Sequence, residues 1–272
     1  GPGSTLIAAP HMADPVPVSP PVDMPLPAGA SHRNAIPLYE FPNQKVARHL
    51  ITDTPLRISA LRALGGFANT FAIESMLDEL AITHGADPVE YRLRHLKDPR
   101  ARAVIERAAT MAQWKPNEKG DGTRGRGIGF CKYKNLGSYC AVIVEVVLDK
   151  TLRVTQAWAA VDIGRVVNPD GAINQIEGGV IQATSWTLKE AVRFDNDFVT
   201  SLNWDNYPIL TFGEAPRVRV ELIDRREQTS KGAGEGAQGP TGAAIANALA
   251  NAAGVRVREL PLTPERIAAA MG

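Results

Sequence analysis

Seven prolines fall between residues 10 and 28: Pro10, Pro15, Pro17, Pro20, Pro21, Pro25 and Pro27. Proline has no backbone N–H and a fixed φ, so this stretch can be neither a helix nor a central strand. It reads as an extended arm over residues 5–35. An arm of that length is unusual inside a compact domain and more often runs over a partner surface. The four residues before it, GPGS, read as the remnant of a cleaved tag and stand outside the fold. Regular structure is therefore expected only from about Ile36 onward.

The remaining length is enough for one large domain or two small ones. Hydrophobic residues make up 44% of the 272-residue chain and charged residues 22%, the balance of a globular protein. A formal net charge of +1 points to neither nucleic acid nor an anionic membrane as a partner. No run of 18 apolar residues suggests a membrane span. TLIAAPHMA is short and lacks a basic flank, a poor match to a signal peptide. Cys131 and Cys140 lie in a strand-like stretch and read as a buried thiol pair. With no CxxC, no HExxH and no HxxxH pair, no protein-ligated metal is expected.

Residues 36–118 read as mainly helical. A Gly-Gly turn at Gly65 and Gly66 opens a helix whose apolar face would carry Phe71, Ile73, Met76, Leu77, Leu80 and Ala81, with Gly85 ending it. Asp87-Pro88 and Asp98-Pro99 each combine an N-cap with proline at the first helical position, so two more helices are expected. The texture changes over residues 119–272. KGDGTRGRG reads as a loop. IGFCKY, SYCAVIVEVVLD and TLRVTQAWAAVD read as strands. PDGAINQIEGGVIQATSWTLKEAV reads as one long helix, in which Gly178-Gly179 costs about 1–2 kcal/mol relative to alanine and implies a close approach. RVRVELID is a further strand. A glycine-rich loop, an Ala-rich helix, a short strand and a last helix, TPERIAAAM, follow. The fold class is α+β, with mixed sheets and packed helices.

The run from Gly234 to Gly239 satisfies GxGxxG, and Glu259 stands at a suggestive distance beyond it. A dinucleotide site is nonetheless disfavoured. The preceding strand stops near Asp224, an acidic side chain inside the loop would repel a pyrophosphate, and too little chain follows. Glu235 is the better focus. Flanking glycines, Gly234 and Gly236, let the backbone approach a planar ligand. The helix beginning near Pro240 offers N–H groups suited to an anion. A carboxylate held there is a candidate general base; the alternative is an ordinary helix start with an exposed glutamate.

Three separated stretches, in order, resemble one family. RALGGFANTFAIESMLDELA is similar to the Arg-x-x-Gly-Gly segment of molybdopterin-binding subunits in the xanthine dehydrogenase and aldehyde oxidase superfamily. VDIGRVVNPDGAINQIEGGVIQ resembles their Asn-Pro…Gln-Ile-Glu-Gly helix, and SKGAGEGAQGP their Gly-x-Gly-Glu loop. GFCKYKNLGSYCAVIVEV, SWTLKEAV and LPLTPERI look most like the isoquinoline 1-oxidoreductase and nicotinate dehydrogenase branch. The resemblance, over roughly residues 33–266, implies a molybdenum–pterin cofactor. It implies Glu235 as the base that takes a proton from the attacking oxygen. It implies Arg62 beside the metal site, acting on a substrate group or on the transition state. Gly65, Gly66, Gln175, Gly232 and Gly234 would contact the cofactor. The implied reaction is hydroxylation of an N-heteroaromatic compound, or of an aldehyde, using water. Electrons would pass to iron–sulfur clusters on a small partner subunit.

One departure accompanies this. The large subunits of that branch start with a Gly-Gln-Gly segment and further pterin-contacting loops, which this sequence lacks. The pterin site is expected to be about half built, completed by the N-terminal half of the molybdopterin subunit, on the same chain or another. The isolated chain is then expected to be inactive. A non-catalytic assembly module that keeps the fold is the rival reading. A cytoplasmic location is favoured over a periplasmic one.

Overall fold

The computed structural model describes residues 13–15, 31–56 and 60–272. The tag remnant and most of the proline arm lie outside the described residues. Helix and strand begin only at Gly66, because the described residues from 31 to 65 form turns and irregular chain. Three helices come first: α1 (Gly66–Thr83), α2 (Pro88–Arg94) and α3 (Pro99–Met111). Both Asp-Pro starts form as expected. Asp87 Oδ1 accepts from the Val89 and Glu90 amides at 2.9 and 3.0 Å, and Asp98 Oδ1 accepts from the Arg100 amide at 2.9 Å.

Strands β1 (Arg124–Lys132), β2 (Tyr139–Leu148) and β3 (Leu152–Asp162) form an antiparallel meander. Helix α4 (Pro169–Leu188), capped by Asn168, carries the chain back so that β4 (Arg217–Leu222) adds parallel to β3. The sheet order is β1-β2-β3-β4, a mixed sheet. Helices α5 (Gln238–Ala253) and α6 (Pro264–Met271) complete the α+β fold.

Period-2 alternation divides the sheet between two cores. Cys140, Val142, Val144 and Val146 of β2, with Ala157, Ala159 and Val161 of β3, face α4 and α5. Ala141 and Ile143 of β2, with Ile128 and Phe130 of β1 and Trp158 of β3, face the residues of α2 and α3. The helical segment and the strand segment thus share one core. Cys131 and Cys140 are cross-strand partners, both free and both buried, and burial pushes the Cys140 thiol up to about 12.

Helix α5 lies at the centre, with every residue from Gln238 to Leu249 buried. A helix covered on all sides must be apolar or small on all sides. Ile245 and Leu249, fully buried, each contribute about 1.5–3 kcal/mol. Its alanines and glycines serve a different end, which is proximity. Cβ atoms built on Gly120, Gly125, Gly127 and Gly129 would fall 2.2–2.5 Å from α5 backbone atoms. This corrects the loop expected over KGDGTRGRG, since β1 already begins at Arg124 and its glycines mark helix contact, not a turn.

Three further departures accompany this one. The long helix ends at Leu188 and not at Val192. No strand precedes α6, because Val255–Leu262 is irregular. Met76 is half exposed, whereas Glu74 and Asp78 point inward. They meet a buried and a half-buried cation: Arg92 Nε lies 2.8 Å from Glu74 Oε2, and Arg256 Nη2 lies 2.9 Å from Asp78 Oδ2. Tyr39 Oη donates to Glu74 Oε1 at 2.6 Å and the Phe130 amide to Oε2 at 3.0 Å, so the buried carboxylate is fully used.

Candidate active site

Helix α5 begins immediately after Glu235-Gly236-Ala237, so its packing fixes where the loop stands. Gly232 turns the chain with φ +78°. Gly236 fits only because it has no side chain, since a Cβ there would lie 2.7 Å from Ser138 Oγ. Gly234 is exposed, and a Cβ on it would meet nothing within 4 Å. Loop geometry therefore rests on Gly232 and Gly236. The first turn of α5 is buried, and Gly239 sits directly beneath Gly66 and Thr70 of α1. It is covered by protein and not presented as the open anion site that sequence suggested.

The turn before α1 reaches the same place from the other side. Ala63 and Leu64 both adopt left-handed backbone, φ +72° and +53°, which is costly for residues with a Cβ. The turn aims the Ala63 amide at Glu235 Oε1, 3.0 Å away. Tyr133 Oη donates to Oε2 at 2.8 Å. Burial raises the Glu235 carboxyl. The two donors, together with the charges of Lys134 and Arg33, outweigh it and hold the carboxyl below the usual glutamate range. Glu235 is ionised at neutral pH.

Arg62 is anchored by neutral acceptors. Its Nε donates to the Gly234 carbonyl at 2.6 Å, Nη1 to Gln182 Oε1 at 3.2 Å, and Nη2 to both the carbonyl and Oε1 of Gln175 at 3.1 Å. Gln238, with its amide oriented to suit its neighbours, accepts from Arg62 Nε at 2.7 Å and donates to the Glu235 carbonyl at 3.1 Å. Among the described residues no carboxylate bonds to Arg62 directly, which leaves its positive charge to a ligand. Gly65 is the residue before α1, and Gly66 is buried against Asn34 and the Tyr133 ring.

The structure thus brings Arg62, Gln175, Gly232, Gly234 and Glu235 to one surface, with Gly65 and Gly66 behind it. Tyr133, Gln182, Gln238 and Arg33 belong there too and were not singled out from sequence. Gln182 carries a usable signal. It stands seven residues after Gln175, two turns along one helix face. Gly178 shares this exposed stretch of α4, and like Gly232 and Gly234 it faces open space where a side chain would be. Three glycines bordering open space, beside the donors of Arg62 and the glutamine amides, fit a planar, oxygen-rich group such as a pterin. Among the described residues no cluster of three or more His, Cys, Asp or Glu could hold a metal ion by itself, and no helix is long and apolar enough to cross a membrane.

Comparison with known proteins identifies the family. Residues 72–216 and 20–96 match two models of the molybdopterin cofactor-binding domain. The chain belongs to the molybdopterin cofactor-binding family. It is 42% identical over 258 residues to a nicotinate dehydrogenase subunit of Pseudomonas putida, an alignment covering 88% of this chain and 22% of that one. It is 33% identical over 231 residues to the beta subunit of isoquinoline 1-oxidoreductase from Brevundimonas diminuta, covering 83% of this chain and 29% of that one. This places it in the nicotinate dehydrogenase and isoquinoline oxidoreductase branch of the xanthine dehydrogenase family. It spans less than a third of either relative. The fold is shared with the aldehyde oxidoreductase of Desulfovibrio gigas, with a TM-score of 0.66 at 16% identity over 78% of this chain and 41% of that one.

Proposed function

We propose that this chain supplies the catalytic-base side of a molybdenum hydroxylase that adds a water-derived oxygen to an N-heteroaromatic or aldehyde substrate. The observation that carries the reading is the hold on Glu235. It is an ionised carboxylate with one donor on each oxygen, beside an arginine tied to carbonyls and amides, at a surface bordered by bare glycines. Gln175, Gln182, Gly178, Gly232 and Gly234 would hold the molybdenum–pterin cofactor, with Gly65 and Gly66 shaping the turn behind it. When bound, that cofactor supplies the two-electron redox chemistry.

The chain's own residues do the acid–base and electrostatic work. Glu235 accepts the proton of the attacking oxygen as it adds to the electron-poor carbon, and its lowered proton affinity keeps it competent at neutral pH. Arg62 stabilises negative charge developing on the substrate, and it needs no reorganisation because its guanidinium is already fixed. Both relatives are named as subunits, which supports partners for this chain: the remainder of the molybdopterin subunit and a small subunit whose iron–sulfur clusters would accept the electrons.

The test is Glu235→Gln in the complete, fully metal-loaded assembly. Loss of a general base costs about 10²–10⁴ in rate. Turnover should fall by at least the upper part of that range with molybdenum content unchanged. Wild-type turnover would overturn the assignment.

A further inference from the structure

We infer that Tyr133 is a positioning residue that keeps Glu235 ionised and aimed, and that Arg33 locks its hydroxyl for that task. The inference rests on the reading of Glu235 as the base and extends it to two residues that reading does not require.

The argument begins with how Tyr133 is held. It follows β1 and starts a tight turn in which Lys134 and Asn135 are left-handed, φ +58° and +57°. Asn34 splints that turn from a distant part of the chain. Its Nδ2 donates to the Lys132 carbonyl at 2.8 Å, and its Oδ1 accepts from the Lys134 amide at 3.0 Å. Asn69 of α1 fixes the strap that carries Arg33, its Nδ2 donating to the Ser31 and Arg33 carbonyls at 2.8 and 2.9 Å. Gly66 leaves room for the ring, since a Cβ there would lie 3.4 Å from Tyr133 Cε2. The ring is buried and its hydroxyl emerges at Glu235.

Proton counting then fixes the direction of every bond. Arg33 Nη1 lies 3.2 Å from Tyr133 Oη, and a guanidinium can only donate. The hydroxyl oxygen therefore accepts from Arg33, and its single proton is left for Glu235 Oε2. Ala63 presents an amide to Oε1, which also can only donate. The Ala63 amide cannot accept a proton from Glu235, and Tyr133 Oη accepts one only if it gives up its own donation to the carboxylate. While both bonds last, a proton that Glu235 gains must sit on a lone pair pointing away from both, and the acid form keeps these bonds only weakly. The arrangement holds the carboxylate ionised between turnovers and limits where it can take up a proton. The Tyr133 hydroxyl itself stays protonated: burial, then its bond to Glu235, push it up to about 12 against the opposing effect of Arg33.

Among the described residues the charged groups facing Glu235 are Arg33 on the strap, Arg62 before α1 and Lys134 after β1, all cationic. Around Arg62, α4 and α5 contribute the neutral amides Gln175, Gln182 and Gln238. Tyr133 differs from the cations in being a short, directed donor, so its loss should be visible as a shift that distant charge does not restore.

The experiment is a carbon-13 NMR titration of the glutamate carboxyls in this chain, with the Glu235 signal assigned by its absence in Glu235→Gln. In Tyr133→Phe the Glu235 midpoint should rise by about one pH unit, the size expected for a directed hydrogen bond to a partly exposed carboxylate. In Arg33→Met it should rise by about half as much. An unchanged midpoint in Tyr133→Phe overturns the inference. Should that variant not fold, the Arg33→Met midpoint decides in the same way. An unshifted titration alongside a dead Glu235→Gln assembly removes only the role of Tyr133. Wild-type turnover in Glu235→Gln removes the base itself, and the role of Tyr133 with it.

Discussion

Gly127 of β1 and Ala248 of α5 meet backbone to backbone, so close that a Cβ on Gly127 would fall 2.2 Å from the Ala248 nitrogen. Gly125 and Gly129 repeat the contact on either side, one helix turn apart. The strand's missing side chains set how deep α5 sits. The depth of α5 sets the height of the loop that carries Glu235. A sequence feature of the sheet edge is thereby coupled to the chemistry of the site.

Gly127→Ala should therefore be among the most damaging single substitutions in the core. Both colliding atoms are backbone, so no rotamer change relieves them, and overpacking of this kind costs about 1–3 kcal/mol or more. With about 2–4 °C lost per kcal/mol in a chain of this size, a melting temperature lowered by about 2–12 °C is expected. Gly122→Ala is the control for general glycine effects: its left-handed φ also resists a side chain, but a Cβ there meets nothing. Calorimetry of the two variants makes the comparison, and equal melting temperatures would refute the packing account.

Much of this architecture is local and therefore legible in the sequence. Asp87-Pro88 and Asp98-Pro99 start helices because cap and proline act within one turn, and β2 and β3 declare themselves by branched residues. The β1 glycines mislead because glycine's local meaning is a turn, whereas here its reason is a helix more than 100 residues later. Met76 misleads likewise: helical period alone does not know that Arg92 and Arg256 wait inside for Glu74 and Asp78. In the site, Glu235 and Arg62 stand in recognisable motifs. Tyr133 does not, because its significance comes from Arg33 and Glu235, each about 100 residues away.

Asp162 offers a test by pH. Its side chain is fully buried and receives Arg100, Arg225 and the Gly164 amide. Burial raises its carboxyl, but these partners win and hold it below the usual aspartate range. A depressed carboxyl contributes stability that is fully present above the unfolded aspartate value of about 3.9 and is lost as pH falls through the folded value. Asp162→Asn should cost about 1.5–3 kcal/mol at neutral pH, because it removes charge-assisted bonds to two partly exposed arginines. The gap between wild type and variant should stay constant down to about pH 4 and then narrow. Urea denaturation at stepped pH measures it. A gap that widens on acidification would contradict the assignment.

Arg62→Lys separates the charge of Arg62 from its geometry. The guanidinium spans five acceptors at once: the Gly234 carbonyl, Gln182, Gln238, and both the carbonyl and side chain of Gln175. A lysine keeps the positive charge but presents one compact ammonium, which cannot reach the Glu235 loop and α4 together. The hydrogen-bonded bridge from the loop to α4 would then be lost, and Glu235 would be held by Ala63 and Tyr133 without its neighbour's support. Misplacement by about 1 Å can cost about 10² in rate. Turnover of the metal-loaded assembly should therefore fall about 100-fold, while overall stability drops by no more than about 1 kcal/mol, because Arg62 is partly exposed. Electrostatics alone would predict near-normal turnover in Arg62→Lys and a large loss only in Arg62→Met. Equal losses in the two variants indicate that the fixed fork of the guanidinium matters more than its charge. Full activity in Arg62→Lys would show that the bridge between the loop and α4 is dispensable.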